Sequence, residues 1–287
     1  MPTRIIGIHG LNDKPAPQVL KRWWRKSIQE GLARNCELPG TAFDFHLVYW
    51  ADLEHAEAVA PEDDPEPYVS VKGAEPFMRH SGSLQSKLAA LSLEGFGKLA
   101  SALARAPVLS EMVEQAVERR APDLFRYQND TMLRRAIRER FLVVLRKAQR
   151  QDLRTMLVAH SMGSLIAFDV LLAHPDLRVD HLVTIGSPLG LGEVKAHSRR
   201  EFGRLQVPEG VRRWDNFSDR RDPIAALDMR LASDFPANSQ GVKVIDHAVR
   251  NQYVAPSGKA NPHKIYGYLR TPEVSVTVAA FLDQAGD

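Results

Sequence analysis

The sequence predicts an α/β fold: a doubly wound, mostly parallel sheet of six strands with helices on both faces. Three observations carry this. Six short apolar runs stand along the chain, at residues 4–9, 43–50, 154–159, 181–185, 211–217 and 242–245. The runs are continuous rather than alternating, the pattern of strands covered on both faces. Stretches with helical spacing separate most of them, and strands alternating with helices indicate a parallel sheet.

The first strand, 4–9, starts almost at once. Residues 17–34 then place Val19, Leu20, Trp23, Trp24, Ile28 and Leu32 on one side of a helix that leads to the second strand, 43–50. Residues 51–128 break the alternation. Asp52, Glu54, Glu57, Glu62, Asp63, Asp64 and Glu66, interrupted by Pro61 and Pro65 and followed by Pro67, predict an acidic loop over 52–66. Leu84, Leu88, Leu91, Leu99 and Leu103 then fall roughly on one helical face. Gly95 and Gly97 weaken that helix, since glycine costs about 1 kcal/mol relative to alanine in a helix interior. A further short helix is expected over 110–120. Together, 51–128 reads as a mostly helical insertion in a single domain spanning 1–287, with no sheet of its own. The strongest helical pattern is 131–150, where Leu133, Ile137, Phe141, Val144, Leu145 and Ala148 recur at spacings of three and four. Asp130 or Thr131 can cap its start. A helix over 164–173 follows the third strand directly, with Pro175 closing it, and 274–282 forms a final helix.

The chain has 287 residues, 44% hydrophobic and 25% charged, with a net charge of +3. That is ordinary for a globular protein and excludes a disordered chain, a collagen and a disulfide scaffold. The arginines are scattered and no aromatic–basic motif accompanies them, so nucleic acid is not an expected partner. Cys36 is the single cysteine and has no intramolecular partner. No run approaches the roughly 20 apolar residues of a membrane helix, and the N-terminus lacks a signal peptide's apolar stretch, which sets a cytoplasmic expectation. Neither zinc spacing nor a phosphate-cradling glycine loop stands out, so neither metal nor organic cofactor is expected.

Four stretches carry chemistry. In Ala159-His160-Ser161-Met162-Gly163 a strand runs into a helix. Small residues two positions either side of a serine allow a sharp turn that lifts Ser161 Oγ clear of the sheet. The backbone N–H of Met162 then lies at a helix N-terminus, where it can stabilise an oxyanion. The other reading is an ordinary tight junction with an inert serine. In Ile8-His9-Gly10-Leu11 a strand ends in a glycine that lets the backbone approach a ligand; His9 reads as a packing or loop-orienting residue. The stretch from Trp214 to Ile224 offers a carboxylate to orient a histidine. Asp222, with Pro223 after it, is favoured over Asp219, with Asp215 behind, and at least one of the three must be a turn or cap residue. Finally, Asn261-Pro262-His263-Lys264 places a histidine in a late loop, where a base reaching the serine must lie. His247, beside Asp246, and His181 are the rivals, and His247 reads as structural.

The order Ser161, Asp222, His263 resembles that of the α/β-hydrolase superfamily, specifically its serine lipase and esterase-like members. The resemblance rests on His9-Gly10, the Ala159–Gly163 turn, Thr184-Ile185-Gly186-Ser187-Pro188, the Asp222-Pro223 loop and the His263 loop. It covers about residues 3–50 and 130–285. Alanine replaces the usual first glycine of the turn. The two N-terminal strands of larger members are missing, leaving six strands as in minimal lipases. The large insertion precedes the nucleophile strand, whereas many members carry a cap after the strand that follows the elbow helix.

The resemblance implies the α/β-hydrolase fold and acyl transfer to water. Ser161 would attack an ester carbonyl, His263 would take its proton and Asp222 would orient His263. The N–H groups of Leu11 and Met162 would hold the oxyanion. The implied substrate is a small-molecule or lipid ester, with thioesters and amides as alternatives of the same fold. Residues 51–128 could form a lid that meets lipid at a membrane surface, but packing on the body is favoured. Lys14 and Arg220 read either as attraction for an anionic substrate or as solvated charges. A rival from another class is a non-catalytic protein of this fold that binds a partner through its insertion.

Overall fold

The computed structural model describes residues 2–79 and 122–283. All six expected strands form: β1 (Thr3–Ile8), β2 (Phe45–Val48), β3 (Arg154–His160), β4 (His181–Ile185), β5 (Trp214–Asp219) and β6 (Val244–Val249). They make one sheet in the order β2-β1-β3-β4-β5-β6. Every neighbouring pair is parallel, so the sheet is parallel throughout rather than mostly. The chain starts at β1, steps outward to β2, then crosses back to β3 and continues the other way. The direction of winding therefore reverses between β1 and β3, and a crevice opens at the carboxyl ends of strands at such a point.

The continuous apolar strands feed two cores. Ile6, Ile8, Leu157 and Ala159 face one, while Ile5, Met156 and Val158 face the other. The first core is covered by α2 (Pro122–Asn129), α3 (Thr131–Arg150), α4 (Met162–Ala173) and α5 (Gly192–Phe202). The second is covered by α1 (Pro17–Asn35), α7 (Ile265–Leu269) and α8 (Pro272–Asp283). A short α6 (Leu231–Asp234) sits before β6. Pro17 occupies the first turn of α1, where its missing N–H is no loss. Asp130 is the cap of α3, its Oδ1 accepting the Leu133 N–H at 3.0 Å.

Helix α4 is apolar around its whole circumference and is buried from Met162 to Leu172, as expected of a central helix. Its one carboxylate, Asp169, is tied to the neighbouring helices. Arg138 Nη2 donates to Asp169 Oδ2 at 2.6 Å and Tyr127 Oη donates at 2.8 Å. The same guanidinium reaches Glu201 Oε2 at 2.9 Å. Burial pushes the Asp169 carboxyl up to about 6 even with Arg138 beside it.

Residues 54–79 contain neither helix nor strand beyond an isolated bridge at Val59, after a single 3-10 turn at Ala51–Leu53. The acidic loop expected over 52–66 is thus largely irregular, and it lies on the body of the protein. The Val59 N–H donates to the Lys14 carbonyl at 3.0 Å. Further along, Tyr68 Oη donates to Glu30 at 3.0 Å and the Phe77 N–H to Asn35 at 3.0 Å. The helices expected over 84–104 and 110–120 lie outside the described residues. Among those described, no helix is long and apolar enough to cross a membrane.

Candidate active site

The carboxyl ends of β1 and β3 are where the sequence placed its chemistry. Strand β3 ends at His160 and α4 starts at Met162, so Ser161 alone makes the turn. Its backbone takes φ +54° and ψ −131°, a conformation that costs a non-glycine residue on the order of 1–3 kcal/mol. The Ser161 N–H is tied to the Ile185 carbonyl of β4 at 3.0 Å. The small neighbours are needed. Ala159 is fully buried, and a Cβ on Gly163 would lie 2.5 Å from the Ile8 carbonyl oxygen. The loop after β1 presses equally close: a Cβ on Gly10 would lie 2.6 Å from Ser161 Cβ. Backbone at Gly10 and at Met162 therefore borders the serine from two sides.

His263 and Asp222 complete the group. His263 Nε2 is 3.0 Å from Ser161 Oγ. His263 Nδ1 lies 2.9 and 2.8 Å from the two carboxylate oxygens of Asp222. A carboxylate only accepts, so Nδ1 carries the proton and Nε2 is the free acceptor facing the hydroxyl. Asp222 is fully buried, and its remaining capacity is filled. Tyr268 Oη donates to Oδ2 at 2.7 Å and the Ile224 N–H to Oδ1 at 2.9 Å. Burial, with the Asp222 charge beside it, holds the Tyr268 phenol well above its ordinary range, so it stays a donor. Gly186 makes room for the pair. It has φ +56°, and a Cβ there would sit 2.9 Å from Asp222 Oδ2.

The rival acids take other roles. Asp219 Oδ2 accepts from Arg221 Nη2 at 2.7 Å and from the Asn251 N–H at 2.7 Å, which makes it the turn residue that organises the loop. Asp215 lies near the start of β5, at the far end from Ser161. It accepts from His181 Nε2, His247 Nε2 and Arg213 Nε, each at 2.6 Å. Burial alone would raise Asp215, but these three donors outweigh it and hold the carboxyl well below its usual range. Both rival histidines are thereby accounted for, away from the serine.

His160 and Asn251, which had not stood out in the sequence, shape the site together with His9. His160 donates from Nε2 to the His263 carbonyl at 2.8 Å, and its ring lies 4.9 Å from the His263 ring. Burial, then the neighbouring His263, pushes His160 well below its ordinary value, so it acts as a neutral strut. Asn251 Nδ2 donates to the carbonyls of Pro262 and Lys264, both at 2.8 Å. His9 accepts the Trp50 N–H at Nε2 (3.0 Å), so its proton sits on Nδ1 and goes to the Gly10 carbonyl at 2.8 Å. Burial, reinforced by Lys14, brings His9 down to about 3. His9 therefore orients the loop, as read from the sequence. Lys14 turns its ammonium onto that loop's own carbonyls at Leu11, Asn12 and Asp13.

Outside this crevice, Asp169, His197 and Glu201 bring ligand atoms within 4.8 Å of one another. Arg138 bonds both carboxylates there and already supplies the compensating cation. The chain matches no protein-family model and no curated protein sequence.

Proposed function

We propose that the protein is a serine hydrolase that cleaves carboxylic esters through an acyl-enzyme intermediate. The observation that carries this reading is the unbroken relay Ser161 Oγ to His263 Nε2 at 3.0 Å and His263 Nδ1 to Asp222 at 2.8 Å. The strained serine turn and the α/β-hydrolase resemblance support it. His263 Nε2 takes the hydroxyl proton as Ser161 Oγ attacks the carbonyl carbon. The imidazolium so formed is stabilised by Asp222 and then protonates the leaving alkoxide. Water adds to the acyl-enzyme by the same route: His263 takes the water proton and passes it to Ser161 Oγ as the bond to the acyl group breaks and the acid leaves. Backbone N–H groups of Leu11 and Met162 are assigned to the oxyanion; one donor of this kind is worth about 3–4 kcal/mol in other hydrolases. The same machinery accepts thioesters and amides.

Turnover of p-nitrophenyl esters from acetate to palmitate, beside matched thioesters and anilides, tests the reading. Ester turnover that disappears in Ser161→Ala supports it. Turnover unchanged in Ser161→Ala removes the serine mechanism, and no turnover on any of the three classes, joined to absent fluorophosphonate labelling, leaves the partner-binding alternative.

A further inference from the structure

We infer that Glu66, in the acidic segment after β2, is a positioning residue for His263 and acts through Asn261. This rests on the serine-hydrolase reading above. His263 sits on residues 250–264, which have neither helix nor strand beyond one isolated bridge between Val254 and Ala260. Its placement therefore depends on side chains that reach it from elsewhere. On one side the His263 carbonyl is held by His160, and the flanking carbonyls by Asn251. On the other side the His263 N–H donates to Asn261 Oδ1 at 2.9 Å. Asn261 Nδ2 in turn donates to both oxygens of Glu66, at 2.9 and 2.8 Å.

The direction of the asparagine amide is what Glu66 sets. The two ends of that amide are nearly the same shape and differ in hydrogen bonding. A carboxylate only accepts, so the amide NH2 must face Glu66. The carbonyl end then faces His263, where an acceptor is needed. With Glu66 gone, nothing holds the NH2 end, and the Asn261 side chain is free to swing off the His263 N–H, which then loses its acceptor. The loop loosens and carries the imidazole from Ser161 Oγ. A displacement of about 1 Å in a reacting group lowers rates on the order of a hundredfold.

Glu66 is itself anchored. Its N–H donates to Asp64 Oδ1 at 2.8 Å, and its carboxylate lies 3.5 Å from Lys264 Nζ. The next residue, Pro67, accepts from Tyr253 Oη at 2.7 Å. The segment that interrupts the alternation of strands and helices is thus built into the placement of the base.

The test is kcat and KM on a p-nitrophenyl ester, with kcat expressed per site titrated by a fluorophosphonate. Glu66→Ala is expected to lower kcat by about ten- to a hundredfold with KM within about twofold. Glu66→Gln keeps an acceptor and is expected to retain kcat within about threefold, which separates acceptance from charge. Asn261→Ala should fall as far as Glu66→Ala, and adding Glu66→Ala to it should lower kcat no further. Wild-type kcat in Glu66→Ala, equal losses in the Ala and Gln variants, or additive losses with Asn261→Ala would overturn the inference. Should Glu66→Ala not fold, the Gln and Asn261→Ala variants decide: kcat lost in the second and kept in the first supports it, and any other pattern overturns it. A wild-type chain that shows no Ser161-dependent labelling instead overturns the hydrolase reading beneath it.

Discussion

Strand β5 has a carboxylate–histidine cluster at each end, and the two are built to opposite purposes. At the start of the strand, Asp215 accepts from two histidines and an arginine. Among the described residues, neither His181 nor His247 hydrogen-bonds a hydroxyl or a thiol. Just past the other end, Asp222 holds a single histidine by Nδ1 and leaves its Nε2 facing Ser161. The first cluster has charges that neutralise one another in the sheet. The second has an imidazole with one nitrogen committed and the other available. A histidine beside an aspartate therefore says little by itself; in the proposed reading, the state of the second ring nitrogen separates a base from a brace.

Substitution can break this comparison at several points. The largest contrast is between the histidines. His263→Ala is expected to lower kcat on the order of 10⁶-fold, as loss of a triad base does elsewhere, whereas His247→Ala should leave kcat per titrated site within about twofold. Equal losses in ester assays of the two variants would refute the division of roles. The acids follow. Asp222→Asn should lower kcat by about 10⁴-fold through the wrong imidazole tautomer, with little change in melting temperature. Asp215→Asn should do the reverse. It weakens the acceptor shared by the buried His181, the partly exposed His247 and the half-exposed Arg213 and is expected to remove about 1–3 kcal/mol of stability, read from urea unfolding.

Acid titration sharpens the same contrast. His9, beside the serine, is held down to about 3 by burial and Lys14, against an ordinary value of 6.5. Between those values the unfolded chain binds a proton that the folded chain refuses. Stability is therefore full above pH 6.5 and falls as pH drops toward 3, by at most about 1.4 kcal/mol per unit from this group. Asp215 is held below its ordinary 3.8, so its contribution persists to that pH and is lost only below it. Urea unfolding across pH should show the first decline made shallower by about one proton in His9→Asn, His160 and His181 supplying the rest, and kept in Asp215→Asn. The smallest effect is expected at Gly186→Ala. The added methyl meets Asp222 at positive φ, with roughly 1–2 kcal/mol lost and a modest fall in kcat.

What could be read from the sequence is what local sterics dictate. The turn at Ser161 was legible because a tight strand-to-helix turn around a serine requires small neighbours such as Ala159 and Gly163. The six strands around it followed from apolar runs, whereas their order in the sheet came only with the fold. The limits of β5 and β6 were misplaced, read as 211–217 and 242–245 instead of Trp214–Asp219 and Val244–Val249. Asp215, Asp246 and His247 look polar in a linear reading, yet in the sheet they are satisfied by partners on other segments. Helix α5 did not stand out either, because Gly192–Phe202 buries only Val194 and Ser198. His160 and Glu66 were hidden for the same reason as the strand ends. Their partners lie 103 and 195 residues away along the chain, and only folding brings them together.

The central claim is that Ser161 is an activated nucleophile. Fluorophosphonate labelling, followed by intact mass and peptide mapping of the adduct, tests it without choosing a substrate. A single adduct on Ser161, lost in His263→Ala, is the result expected. A wild-type chain that stays unlabelled, or an adduct on another serine, would contradict it.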